Sequence, residues 1–179
     1  MEENNLDNLK NTFLNIVDIT YSSSVDGEGF RDVLFVCFCP HHCDGCHNPE
    51  TWDEKNGHME SLDEIYKKLT KSTLTNITYS GGEPFCQTDG LIKLSEYIKS
   101  NTNKTIWVYS GYTFEEIMAD EKKKYLLSYC DVLVDGKFEK KHFKENLRFK
   151  GSQNQRIIDV KKSIEKNCII LWNDDIDII

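Results

Sequence analysis

Long hydrophobic runs are missing from this sequence. The most apolar stretches, Val33 to Phe38 and Cys168 to Trp172, fall far short of the roughly 20 residues a membrane-crossing helix needs. The first residues, Met1-Glu2-Glu3-Asn4-Asn5, lack the apolar core of a signal peptide and the basic character of a transit peptide. Basic charge is short as well. With 22 Lys+Arg against 30 Asp+Glu the formal charge is −8, which removes the electrostatic footprint of a nucleic-acid binder. Only 3 Pro and 10 Gly in 179 residues exclude a linker-rich or fibrous chain. These absences predict a cytoplasmic protein with neither a membrane nor a nucleic acid as partner. What remains, 39% hydrophobic and 29% charged, is ordinary globular composition. A chain of this length buries about two-thirds of its unfolded surface as one domain. Residues 1–12 read as a polar N-terminal segment, poorly ordered up to Phe13, and 13–179 as that single domain.

Cysteine, by contrast, is plentiful. Cys37, Cys39, Cys43, Cys46, Cys86, Cys130 and Cys168 make seven, and the first four fall within ten residues. A secreted disulfide framework more often shows an even number spread along the chain. The cluster points to a metal or to redox chemistry.

Short apolar runs alternate with segments of helical period. Strands are predicted at Phe13–Ile19, Val33–Phe38, Ile77–Ser80, Thr105–Tyr109, Val132–Asp135, Ile157–Val160 and Cys168–Trp172. Most are near-continuous apolar runs, the pattern of parallel strands covered on both faces. Three helices separate the middle strands. The first starts at a capping box, Ser61-Leu62-Asp63-Glu64, and lines up Leu62, Ile65, Tyr66 and Leu69. The second begins near Thr88 and carries Leu91, Leu94, Tyr97 and Ile98. The third opens on another capping box, Thr113-Phe114-Glu115-Glu116. Right-handed βαβ crossovers then predict an α/β fold with a parallel sheet core. Since a closed barrel needs roughly 250 residues, this chain has room for an incomplete, partial βα barrel of about five or six units. The charged stretch Lys137–Asn154 reads as a long excursion before the last strands.

The densest chemistry is Cys39-Pro40-His41-His42-Cys43-Asp44-Gly45-Cys46-His47-Asn48. Its spacing, Cys-x3-Cys-x2-Cys, follows a predicted strand directly, and α/β folds build their sites on loops after strand C-termini. Thiolates so close together repel unless a metal neutralises them, and they select Zn, Cu(I) or iron–sulfur clusters. A four-iron cluster takes four cysteines, so three leave one iron open to a small molecule. Zinc would need a fourth ligand, which His41, His42 or His47 can supply. The cysteines alone leave both readings open. Cys37 reads as a buried core thiol, and Cys86, Cys130 and Cys168 as structural.

A second stretch, Gly81-Gly82-Glu83-Pro84, follows the strand Ile77–Ser80. Two glycines let a backbone approach a ligand closely, or simply make a tight strand-to-helix connection. Glu83 could pair with an ammonium group. Taken together, the cysteine spacing followed by Gly-Gly-Glu-Pro resembles the radical S-adenosylmethionine superfamily. Gly45-Cys46-His47-Asn48-Pro49-Glu50-Thr51-Trp52 is similar to the signature of the enzymes that activate glycyl-radical proteins. Among these, the likeness is greatest to the activators of the anaerobic ribonucleoside-triphosphate reductase. Asp131–Phe138 and Leu147–Asp159 fit the same family, and the likeness runs from about Phe13 to Trp172. Two positions depart from it: Gly27-Glu28-Gly29 stands where Gly-Pro-Gly is frequent, and Phe38 where glycine is common.

The resemblance implies a [4Fe-4S] cluster on Cys39, Cys43 and Cys46, with S-adenosyl-L-methionine on the open iron. Reductive cleavage would give a 5′-deoxyadenosyl radical, which takes hydrogen from a glycine of the reductase large subunit. It implies that Gly81, Gly82 and Glu83 meet the methionine end of S-adenosylmethionine, with Glu83 near the ammonium. Gly45, Cys46 and His47 would lie by the adenine, and Asp135 and Lys137 near the ligand. Ser110 and Tyr112 sit where they can line the pocket. A low-potential electron donor such as a flavodoxin is implied as a further partner, and no single catalytic side chain is assigned. The excursion Lys137–Asn154 and the turn Asp26–Arg31 are the candidates for partner contact. Activation of another glycyl-radical enzyme is the alternative, and a zinc-stabilised interaction module a more distant one.

Overall fold

The computed structural model describes residues 9–173. Residues 1–8 of the expected N-terminal segment and the last six residues of the expected domain lie outside that range. Among the described residues seven strands form one sheet: β1 (Phe13–Ser23), β2 (Arg31–Val36), β3 (His58–Ser61), β4 (Asn76–Gly81), β5 (Ile106–Tyr109), β6 (Val132–Asp135) and β7 (Arg156–Asp159). The helices are α1 (Leu62–Leu69), α2 (Thr88–Asn101), α3 (Phe114–Met118), α4 (Glu121–Leu127) and α5 (Val160–Lys166). The spatial order is β3-β1-β2-β4-β5-β6-β7.

This is a mixed α/β fold, and its parallel core is smaller than the sequence predicts. Only β2, β4, β5 and β6 run parallel. On one flank β1 pairs antiparallel with both β2 and β3, and on the other β7 pairs antiparallel with β6. Connection length is the reason. A parallel partner needs a crossover of a dozen or more residues, whereas β1 and β2 are joined by the short turn 24–30. The connection 136–155 is long enough but holds only one 3-10 turn, Lys140–His142, so the chain doubles back. The predicted strand Cys168–Trp172 reduces to a single bridge from Leu171 to Ile158.

Among the described residues the helices cover one face of the sheet rather than both. Strand alternation sends Ile106, Val108 and Leu133 to the helical side, into one core with Ile65 of α1, Leu94 of α2 and Leu126 of α4. Trp107, Val132 and Val134 point the other way and meet Phe149 and Trp172 in a smaller cluster without helices. Arg31 belongs to this second face. It is 1% exposed and donates to Thr78 Oγ1 at 2.7 Å, to the Glu28 carbonyl at 3.1 Å and to the Ile77 carbonyl at 2.5 Å, with Trp107 5.3 Å away. Burial pulls its guanidinium down to about 10. Arg31 therefore anchors the turn 26–30 and is not available to a partner.

Local signals place the helices. Thr113 and Glu116 form the reciprocal capping box expected for α3. Ser61 caps α1 through the Glu64 amide, but Glu64 pairs with Lys67 instead of reaching back, because Ser61 also ends β3 opposite Phe13. The predicted third helix is split in two: Asp120 accepts from the amides of Lys122 and Lys123 and starts α4 afresh. Order also begins before Phe13. Leu9 is buried in the core, and the Thr12 carbonyl accepts from the Leu62 amide at 2.9 Å. No helix among the described residues is long and apolar enough to cross a membrane.

Candidate functional site

The four parallel strands all point their C-terminal ends at one edge of the molecule, where their following loops meet. Between them lies a cavity of about 260 Å³, lined by Cys46, His47 and Asn48 after β2, Gly81 and Gly82 after β4, Tyr109 and Ser110 at β5, and Phe138, Gly151 and Gln155 after β6.

The cysteine loop is set by its first residues. β2 ends at Val36, the Cys37 amide donates to the Asn15 carbonyl at 2.8 Å, and the Phe38 amide to the Thr51 carbonyl at 2.7 Å. Phe38 adopts φ +78°, the left-handed region that costs an L side chain. This is why a glycine suits that position. Phe38 is held there because its carbonyl accepts from the Glu83 amide at 2.8 Å. Cys39 is buried and Cys43 and Cys46 are half-buried. The turn between the last two closes with Gly45 at φ +75° and the Cys46 amide on the Cys43 carbonyl at 3.1 Å. Burial pushes the Cys39 and Cys43 thiols up, while backbone amides pull the other way, that of His41 at Cys39 and that of Phe138 at Cys43. The Asn48 amide donates to Cys46 Sγ at 3.4 Å. Cys37, as expected, is a buried thiol; it donates to the Asp53 carbonyl at 3.1 Å. Cys130 is buried too, whereas Cys86 and Cys168 are exposed.

The glycine loop lies against this one. A Cβ on Gly82 would stand 2.3 Å from the Phe38 carbonyl oxygen, and one on Gly81, at φ +91°, 2.7 Å from that of Val36. The missing side chains thus let residues 81–83 press onto the end of β2, and both glycines still line the cavity. Glu83 turns inward. It is fully buried, and its carboxylate accepts from the amides of Phe85 (3.0 Å) and Gly111 (2.8 Å), from Ser110 Oγ (3.0 Å) and from His41 Nε2 (2.9 Å). Asp135 is likewise enclosed, accepting from the Phe114 amide at 2.7 Å and from the Arg156 guanidinium. Lys137 stays exposed next to Cys43. His47 packs against Phe138, the rings tilted by 51° with centres 5.0 Å apart. Tyr112 meets the edge of His41 at 4.6 Å rather than the cavity.

Sequence reasoning missed Gln155 and Arg156. Gln155 accepts from the amides of Gly151 and Ser152 and donates to the Gly136 carbonyl, closing the excursion 136–155 into a wall of the cavity. The polar run Gln153-Asn154-Gln155-Arg156 at the end of a long loop was the available signal.

The donor set fits an iron–sulfur cluster better than zinc. Three thiols share one loop, with a backbone amide on each of them, and the indole N–H of Trp52 is buried there without a partner among the described residues. Of the histidines that could complete a Cys3His site, His41 has its Nε2 on Glu83, while the rings of His42 and His47 lie against Trp52 and Phe138. Among the described residues no three His, Cys, Asp or Glu side chains converge on a single ion.

Comparison with known proteins agrees. A family described as "4Fe-4S single cluster domain" matches residues 25–158. The anaerobic ribonucleoside-triphosphate reductase-activating protein of Enterobacteria phage T4 is 38% identical over 139 residues, 74% of this chain and 86% of the phage protein. The chain belongs to the family of anaerobic ribonucleoside-triphosphate reductase-activating proteins. Members from Vibrio cholerae and Escherichia coli K12 are 38% and 36% identical, over 90% and 89% of their own lengths. The crystal structure of QueE from Escherichia coli shares the fold, with a TM-score of 0.51 at 15% identity, covering 61% of this chain and 57% of that one. In this activating-protein family, then, the matched region takes in all four loops of the cavity up to β7.

Proposed function

We propose that this protein activates an anaerobic ribonucleoside-triphosphate reductase as a radical S-adenosylmethionine enzyme, with Cys39, Cys43 and Cys46 holding a [4Fe-4S] cluster. One observation carries the reading. The loop that holds the three thiols, through its Cys46, and the Gly81–Gly82 edge border the same cavity, in a chain of the activating family. When bound, the cluster supplies the electron that cleaves S-adenosylmethionine, the route to a glycyl radical on the reductase large subunit.

The chain's own residues bind, orient and exclude. The three cysteines give up their protons on loading, since only thiolates bind metal. Gly81 and Gly82 offer backbone to the methionine end of the ligand, while Gly45 and His47 flank the adenine. Lys137, exposed beside Cys43, serves the ligand from the cysteine side, and Asp135 acts in support by anchoring the end of β6 through Arg156 and the Phe114 amide. Phe138 and His47 cover the cavity against water. The βα order of the four parallel strands, in a chain too short for eight units, supports a partial barrel, which admits a peptide loop carrying the glycine. The remaining parts of the reading are a cytoplasmic location, one domain over residues 13–179, and a low-potential electron donor such as a flavodoxin.

Anaerobic iron–sulfur reconstitution, followed by dithionite and S-adenosylmethionine, should yield 5′-deoxyadenosine. Product should vanish in Cys39→Ala, Cys43→Ala and Cys46→Ala. A colourless protein that binds zinc tightly and forms no product would overturn the reading.

A further inference from the structure

Glu83 looks from the sequence like the partner of a ligand's ammonium group, yet its carboxylate is 0% exposed and does not line the cavity. A buried carboxylate needs donors, and Glu83 has four, drawn from three loops. His41 comes from the loop after β2, the Phe85 amide from the loop after β4, and Ser110 and Gly111 from the loop after β5. The Ser110 hydroxyl also accepts from the Tyr112 amide at 3.0 Å, so the third loop is fixed at two points.

His41 is gripped from other sides as well. Its side chain is 7% exposed and meets the edge of Tyr112. A Cβ on Gly111 would lie 2.3 Å from His41 Cδ2, so the ring occupies the space that only a glycine leaves. His41 stands midway between Cys39 and Cys43 in sequence. The first stretch of the cysteine loop is therefore tied, through one buried carboxylate, to the residue that follows Gly82.

We propose that Glu83 and His41 are a positioning pair: they set the cysteine loop against the Gly81–Gly82 edge, and Glu83 acts through His41 and not on the ligand. This inference rests on the cluster-and-ligand reading above and assigns the acidic residue of the glycine loop a part inside the protein. Two linked loops held at one spacing are what a ligand bridging them requires, because small misplacements of reacting groups are costly.

The pair is tested first in the metal-free chain, where the outcome does not depend on that reading. Amide hydrogen exchange over residues 39–48 and 110–112 should be faster in His41→Ala than in wild type, and should return toward wild type in His41→Gln, whose amide can still donate to Glu83. Unchanged exchange in His41→Ala overturns the proposal. After reconstitution, His41→Ala should keep its iron but lose the change that S-adenosylmethionine makes in the electron paramagnetic resonance spectrum of the reduced cluster, with turnover falling on the order of 100-fold. Loss of that spectral change in Glu83→Gln but not in His41→Ala would also overturn it, since Glu83 would then touch the ligand directly. If His41→Ala fails to fold, Gly111→Ala, which drives a methyl into the His41 ring, gives the same comparisons. A wild-type protein that takes up no cluster defeats the functional reading alone, because the exchange result still decides the pair.

Discussion

At Asp135 a carboxylate is 1% exposed and survives there because Arg156 and the Phe114 amide both donate to it. Arg156 also reaches Glu115 at 2.8 Å, so one guanidinium joins the ends of β6, β7 and α3. Removing it strands a buried charge. Arg156→Ala is expected to cost about 3 kcal/mol in urea denaturation, the low end for a broken buried pair because the arginine is partly exposed. Glu115 adds a pH signature. Its hydrogen bonds with Arg156 bring its pKa from 4.5 to about 2. A carboxylate depressed on folding contributes stability above its unfolded value and loses it as the pH falls toward the folded one. Wild-type stability should therefore decline between about pH 4.5 and 2 more than that of Glu115→Gln, a difference that denaturation midpoints across that window would register. None of this was legible in the sequence. Asp135 and Arg156 are 21 residues apart, and nothing local pairs them. Gly82 is the opposite case, since its motif marks it and the structure gives the reason. Gly82→Ala should cost about 1–3 kcal/mol by forcing β4 off the Phe38 carbonyl, measurable by thermal unfolding.

Among the elements, what could be read from the sequence is what local chemistry decides. The capping box at Thr113 holds as drawn, and Thr113→Ala should lower stability by about 1 kcal/mol, with the loss confined to α3 if followed by amide exchange. Six of the seven strand positions are also legible, to within a few residues, because apolar runs report burial, although the apolar run Cys168–Trp172 is no strand. Strand direction is not legible. An apolar run looks the same in a parallel or an antiparallel neighbour, so β1 and β7 were readable as strands but not as antiparallel ones. The short strand β3, His58-Met59-Glu60-Ser61, was not readable at all: its residues are polar or exposed, and only the ladder to β1 makes it a strand. Coverage of the sheet is hidden from the sequence for a related reason. Trp107, Val132 and Val134 are apolar because they meet Phe149 and Trp172, not because a second helical layer lies over them.

Across the whole molecule, the site residues gather because all four parallel strands end on one side, and all three prolines, Pro40, Pro49 and Pro84, fall in loops of that side. Charge is unevenly placed over this frame. The chain carries −8, yet residues 137–150 hold six Lys or Arg against two Glu, in the excursion that walls the cavity. An acidic protein with one basic flap beside its open cavity favours an acidic surface on the reductase, and complementary charge acts mainly on the rate of encounter. Lys140 lies over Gly45 in the cysteine loop, so the informative positions are Lys141 and Lys144, both exposed. Lys141→Glu with Lys144→Glu should slow association with the reductase several-fold at low salt, and the difference should shrink as salt screens charges beyond about 8–10 Å. Cleavage of S-adenosylmethionine without the reductase should be unchanged in the same variant. Equal loss of both activities would instead mean that the flap supports the cavity and that the reductase docks elsewhere.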